Sequence, residues 1–153
     1  MRKAFWLIVF LVINFGALGI GVLLMNNGPE SGWYAVLNKA PWTPPGWFFG
    51  VAWTTIMICF SIYMAYLIQV KSTANIWLLF FAQFILNTSW NYVFFNQHLV
   101  LLGLLVIVLL TVLVGYFLLK FNKLMKQKTW FIVPYFIWLI VASSLNAYVY
   151  MNN

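Results

Sequence analysis

The chain has 153 residues, of which 65% are hydrophobic and 6% charged. A soluble domain carries about 25% charged residues, so this chain has too few to cover a water-facing surface and is read as an integral membrane protein. Its net charge of +7 comes from eight basic residues and one acid, Glu30; the basic residues lie beside or between apolar runs, which points to membrane topology and not to nucleic acid.

A transmembrane helix needs about 20 apolar residues. Five segments qualify: 4–26, 46–68, 76–96, 99–119 and 130–150. None contains Asp, Glu, Lys or Arg. Backbone groups in lipid must be satisfied internally, so each is read as a helix; the short alternating strands of a barrel are absent. The predicted fold is all-α, a single domain built as a five-transmembrane-helix bundle.

The first segment opens like a secretory leader. Its apolar run is too long for one and lacks a small-residue cleavage site, so it is expected to stay as a span. It contains Asn14, then Gly16, Ala17, Gly19 and Gly21. Ala17 and Gly21 form a small-xxx-small pair that suits close packing against another helix or against a second copy of the chain.

The connection 27–45 is the longest and the least like a linker. Ser31 is a candidate N-cap for a short helix near 32–38. Pro41, Pro44 and Pro45 then fix φ and lower the conformational entropy of the loop. A rigid, aromatic-rich loop entering a bundle reads as a lid over an apolar cavity. The later connections, "QVKSTAN" and "KFNKLMKQKT", are polar linkers, and the one near "NQH" is very tight.

Inside the spans, Gln83, Asn87 and Asn91 recur every four residues with Trp90 beside them; Pro134, Trp138, Ala142 and Asn146 recur similarly. Asn side chains in lipid seek partners, and the simplest reading of each is glue between helices. Cys59, the single cysteine, lies within a span and reads as packing. His98, the single histidine, reads as an interfacial polar residue rather than a ligand.

Five spans place the N-terminus, the second loop and the fourth loop on one side. That side carries Arg2, Lys3, Lys71, Lys120, Lys123, Lys126 and Lys128; the other carries Lys39 alone. The bias predicts a multi-pass protein of the cell membrane with the N-terminus inside, and the first loop and C-terminus outside.

Conventional catalytic patterns are missing. One acid cannot make a carboxylate pair for acid–base work or for holding a metal, and no metal site is expected. The absence of ionisable groups within the spans weighs against an ion-coupled transporter. Aromatic residues are abundant instead: nine Trp, eight Tyr and fifteen Phe. Trp6, Trp77 and Trp130 sit near span ends, where an aromatic belt is expected. Trp53, Trp90 and Trp138 lie within spans, where an indole N–H needs a partner or a cavity.

Three motifs carry a family resemblance. The loop has Trp33-Tyr34, Lys39-Ala40-Pro41, Trp42-Thr43-Pro44-Pro45-Gly46-Trp47, and then Trp53; the third span has Gln83-Phe84-Ile85-Leu86-Asn87-Thr88-Ser89-Trp90; the fifth has Pro134-Tyr135-Phe136-Ile137-Trp138 and Leu145-Asn146. Together they resemble the translocator protein family, also called tryptophan-rich sensory protein (TspO), over the whole chain. The resemblance implies a five-helix bundle that forms a homodimer, with a cavity under the first loop. It implies porphyrins and synthetic isoquinoline-type compounds as ligands, with porphyrin as a ligand and no cofactor required. Carried over, the cavity positions are Trp47, Val51, Trp53, Asn87, Trp90, Trp138, Ala142 and Leu145, with Trp33 and Pro44 in or near the lid. The family's animal sterol motif needs a basic residue after a tyrosine in the last span; "LNAYVYMNN" has none.

Three functions follow from this reading. The first is a membrane receptor or sensor that binds porphyrin-type tetrapyrroles in an aromatic cavity. The second is an enzyme that degrades porphyrin with light and oxygen, with Trp53 and Trp138 as its catalytic residues. The third is a tetrapyrrole transporter or a scaffold.

Overall fold

The computed structural model describes residues 2–153. Six α-helices follow one another: α1 Arg2–Leu24, α2 Gly32–Val36, α3 Gly46–Val70, α4 Ala74–Asn91, α5 Val100–Met125 and α6 Val133–Asn152. Five of them are long and apolar enough to cross a membrane, and α2 is the short helix of the first loop. The protein is an all-α, multi-pass membrane protein.

The long helices form a closed ring. α1 packs on α3 and α4, α4 on α5, α5 on α6, and α6 returns to α3. Rings fill the middle. Phe60 of α3 is fully buried and meets Tyr135 of α6 at 5.2 Å, Phe80 of α4 at 6.1 Å and Phe117 of α5 at 6.2 Å. Phe10 of α1 adds an edge contact to Phe80 at 5.0 Å.

The polar residues within the spans join pairs of helices. Asn14 Nδ2 donates to Ser61 Oγ (2.8 Å, α1 to α3), and Gln83 Nε2 to Tyr135 Oη (2.6 Å, α4 to α6). Thr111 and Ser143 share a hydroxyl hydrogen bond of 3.0 Å between α5 and α6. In lipid each such bond contributes about 0.6–2 kcal/mol. Ala17 and Gly21 are both buried inside the chain, and a Cβ on Gly21 would lie 2.6 Å from Asn91 Nδ2. That small pair lets α1 approach α4 within the chain.

Several boundaries differ from the sequence reading by a few residues, and two of them have a clear local cause. The short loop helix ends at Val36, because Leu37 turns extended (φ −65°, ψ 142°) ahead of the proline segment. The basic "KFNKLMKQKT" stretch is not all linker. α5 continues through Lys120 and Lys123 to Met125, and Lys126 breaks it with φ 51°. Lysines in the last turns of a helix favour its negative end and extend their stems along apolar surface, which carries the helix past the apolar run. A 3-10 segment, Lys126–Phe131, then leads into α6.

After Asn91, α4 widens into a π-turn over Tyr92–Asn96, with Gln97 N donating to Tyr92 O at 2.9 Å. This turn brings both Phe94 and Phe95 into the interior.

Candidate functional site

The loop 27–45 folds over one end of the ring. Ser31 caps α2 by accepting the Tyr34 N–H at 3.2 Å. Lys39 closes the other end of α2: its Nζ donates to the carbonyls of Tyr34, Ala35 and Leu37 at 2.8, 3.3 and 3.4 Å, and lies 4.8 Å from the centre of the Tyr34 ring. Pro41 and Trp42 make a tight turn closed by Thr43 N to Ala40 O at 3.0 Å. Proline at the first central position presets φ for such a turn. The loop is tied down to α6, where Trp42 Nε1 donates to Ser144 Oγ at 3.1 Å and its ring meets Tyr148 edge-on at 5.5 Å.

Beneath the loop lies a recess of about 470 Å³, counting its open mouth. Phe49 and Trp53, one turn apart on α3, form one wall; Trp138, Ala142, Leu145, Asn146 and Val149 of α6 form the opposite one. Trp90 with Phe94 and Phe95 closes the side, and Tyr34, Lys39 and Thr43 form the rim. A second recess of about 520 Å³ lies toward α1, lined by Ala17, Leu18, Asn87 and Asn91. The two share Phe49, Trp53, Trp90 and Phe95, so these four rings are the partition between them. Trp53 meets Tyr135 edge-on at 6.1 Å, and Tyr135 belongs to the ring cluster that forms the floor.

The polar groups here are few. Trp90 Nε1 donates to Asn146 Oδ1 at 3.3 Å, and Asn146 Nδ2 to Ala142 O at 2.9 Å. Trp138 Nε1 is buried with no partner among the described residues. Burial pushes the Tyr34 phenol above its ordinary range, so the rim keeps it neutral. The Lys39 ammonium is the charge at the mouth.

The residues singled out from the sequence divide into three groups. Trp53, Trp90, Trp138, Ala142 and Leu145 surround the first recess, and Asn87 lines the second. Trp47 and Val51 turn away: they are 70% and 54% exposed, and Val51 lines an outer groove between α3 and α6. A helix turns about 100° per residue, so position 51 points almost opposite to Trp53. Phe49, one turn before Trp53, takes the inner place. Pro44 is half-buried in the loop and lines neither recess. Trp33 lies outside the recesses too; it stacks on His98 at 4.1 Å and 13° and meets Phe94 edge-on at 5.5 Å, fastening the loop to the end of α4.

Tyr34, Lys39, Thr43, Phe49, Phe94, Phe95, Asn146 and Val149 were not among the expected site residues. Helical spacing could have found Phe49 from Trp53, Phe94 from Trp90, and Asn146 and Val149 from Trp138. Nothing in the periodicity marks Phe95, since it depends on the π-turn.

An apolar, aromatic-walled recess with few polar groups is the usual build of a small-molecule site. Its rings offer apolar stacking surface, and the Lys39 ammonium is a positive charge at its mouth. No group of three side chains able to hold a metal occurs among the described residues.

The sequence pattern of the TspO/MBR family matches residues 6–151. The chain is 33% identical over 134 residues to "Tryptophan-rich protein TspO" of Chlorobaculum tepidum, covering 85% of each chain. It is 38% identical over 125 residues to "Protein CrtK" of Rhodobacter capsulatus, covering 79% of this chain and 78% of the relative. It is 32% identical over 114 residues to "Tryptophan-rich sensory protein" of Cereibacter sphaeroides, covering 74% and 72%.

Proposed function

Because the chain belongs to the TspO/MBR family, we propose that it is a membrane receptor for porphyrin-type tetrapyrroles, held in the aromatic recess beneath the first loop. The observation that carries this reading is the partition of Phe49, Trp53, Trp90 and Phe95 between two adjoining recesses. Rotation of those side chains would join the two into one ring-lined space running from α6 past α3 toward α1, opened further by the ligand that stacks on its rings. The buried, unpartnered indole N–H of Trp138 supplies a donor to the ligand, and Asn87 supplies a carboxamide from the second recess. Lys39 exchanges its longest bond, to Leu37 O at 3.4 Å, for a carboxylate at the ligand's edge, where partial burial makes a charge-assisted hydrogen bond worth more than one in open water. The same space takes isoquinoline-type compounds, which are flat and apolar but need no cation. The receptor works as a homodimer in the bilayer, with the loop on the outer side.

The test is a fluorescence titration of the purified protein with protoporphyrin and with its uncharged diester. Saturable one-site quenching by both, tighter for the free acid, is the expected result. Quenching that rises linearly with either compound would mean partition into the detergent micelle and no site.

A second reading, light- and oxygen-dependent degradation of the bound porphyrin, is supported by the placement of Trp53, Trp90 and Trp138 around one recess. Each offers an oxidisable indole against the ligand, and molecular oxygen is the terminal oxidant.

A further inference from the structure

At the end of the bundle away from the loop, a groove of about 620 Å³ runs between α1 and α3 and reaches the 3-10 segment before α6. Most of its length is apolar, from Ala4 and Leu7 on α1, Ile62 and Ala65 on α3 and Phe131; Gln69 also lines it, with its amide turned back to the Ala65 carbonyl. Its end is cationic. Lys3 Nζ lies 5.5 Å and Lys128 Nζ 4.3 Å from the centre of one ring, Tyr66. Phe131 stacks against the same ring at 6.4 Å and 18°, which fixes Tyr66 as the platform on which both ammonium groups gather.

Attraction to an aromatic face is worth about 0.5–1 kcal/mol at an exposed site, and it neutralises neither charge. Glu30, the single acid of the chain, stands in the loop before α2 at the opposite end of the ring. Two lysines distant in sequence are therefore held on one ring without a carboxylate to offset them. Lys3 and Ala4 are exposed, so the groove opens on the outside of the helices, where hydrocarbon meets headgroups.

We propose that this groove binds one anionic phospholipid, with its phosphate between Lys3 and Lys128 and an acyl chain lying along Ala4, Leu7, Ile62 and Phe131. A free phosphate would satisfy the two cations but leave the apolar trough uncovered. A neutral lipid would fill the trough but leave the cations unpaired. An anionic phospholipid meets both ends of one continuous surface. Lys71, Lys120, Lys123 and Lys126 crowd the same end of the bundle; they raise the local concentration of anionic lipid without touching the groove. The site is separate from the recess under the loop and does not depend on what that recess holds.

The experiment is native mass spectrometry of the full chain released from micelles with equal phosphatidylglycerol and phosphatidylcholine. The wild type should retain one phosphatidylglycerol in preference to phosphatidylcholine. Lys3→Gln with Lys128→Gln removes both cations assigned to the phosphate and should nearly abolish that preference. Lys120→Gln with Lys123→Gln removes the same charge from elsewhere and should lower it far less, through the diffuse surface attraction alone. Ala4→Trp fills the trough while keeping both lysines, and should also release the lipid. Equal retention of the two lipids by the wild type would overturn the proposal, as would equal losses in the two lysine pairs. Displacement by inorganic phosphate at low millimolar concentration, with Ala4→Trp without effect, would show a free-anion site and likewise sink the lipid assignment.

Discussion

Asn153 and Asn38 hold each other in both directions: the Asn38 N–H donates to Asn153 Oδ1 at 2.8 Å, and Asn153 Nδ2 donates back to Asn38 O at 3.2 Å. With the Trp42–Ser144 bond, this makes two clasps between the first loop and α6. A net hydrogen bond is worth about 0.5–1.5 kcal/mol. Asn153→Ala with Ser144→Ala should therefore speed hydrogen exchange at Asn38 and Thr43 several-fold and quicken ligand entry and exit. Unchanged exchange would mean that the ring contacts of Trp33 and Trp42 alone keep the loop shut.

Ala142 stands in the wall of the recess, one turn after Trp138, and is 6% exposed. Ala142→Phe places a ring where the ligand is expected. Protoporphyrin affinity should fall at least tenfold while circular dichroism keeps its helical signal. Full affinity in a folded variant would move the site elsewhere.

Gly103 of α5 lies against the π-turn. A Cβ there would come within 3.1 Å of Phe94 Cβ and Cδ2, whereas a Cβ on Gly19 meets nothing within 4 Å. Gly103→Leu should destabilise the protein by about 1–3 kcal/mol, as overpacking does, and Gly19→Leu should be nearly neutral. Thermal melts in one detergent compare the two directly.

Trp53→Phe and Trp138→Phe separate binding from chemistry. Each keeps a flat apolar ring and loses the indole. Trp138 Nε1 makes no hydrogen bond within the described residues, so any stability lost in Trp138→Phe comes from the ring volume removed beside Phe48 and Phe49 and not from a broken bond. Under the receptor reading, protoporphyrin affinity changes by about 0.5–1.5 kcal/mol and illumination reveals no turnover. Under the degradation reading, binding persists and light-dependent bleaching in air is lost. Bleaching of porphyrin at its protein-free rate by wild type and variants alike would remove the enzyme.

The basic bias predicts that the N-terminus lies inside and the first loop outside. In a Cys59→Ser background, a cysteine at Ser31 should react with an impermeant thiol reagent in intact cells, and one at Ser72 should react after the cells are opened. The opposite pattern would invert the topology.

The membrane class and the five long helices were legible in the sequence, because burying backbone in lipid leaves helix as the open-ended solution for a long apolar run. Trp138, Ala142 and Leu145, which the family resemblance pointed to, stand on one face of α6 and line the recess; spacing alone put Trp138 and Ala142 on one side of that helix. Periodicity, however, fixes which residues share a face and not which face turns inward. The packing of α3 between α1 and α6 decided that, choosing Phe49 and Trp53 for the recess and leaving Trp47 and Val51 outside. A similar choice turned Ala17 and Gly21 into the chain's own interior, with Gly21 against Asn91. Phe95 enters beside Trp90 only because α4 widens by one residue at Tyr92–Asn96, a change that no local preference announces. The lid residues Lys39 and Tyr34 reach the mouth through contacts with α2, and its clasps to Ser144 and Asn153 span almost the whole chain. Such long-range pairings depend on the closed ring of helices, and composition and spacing do not carry that information.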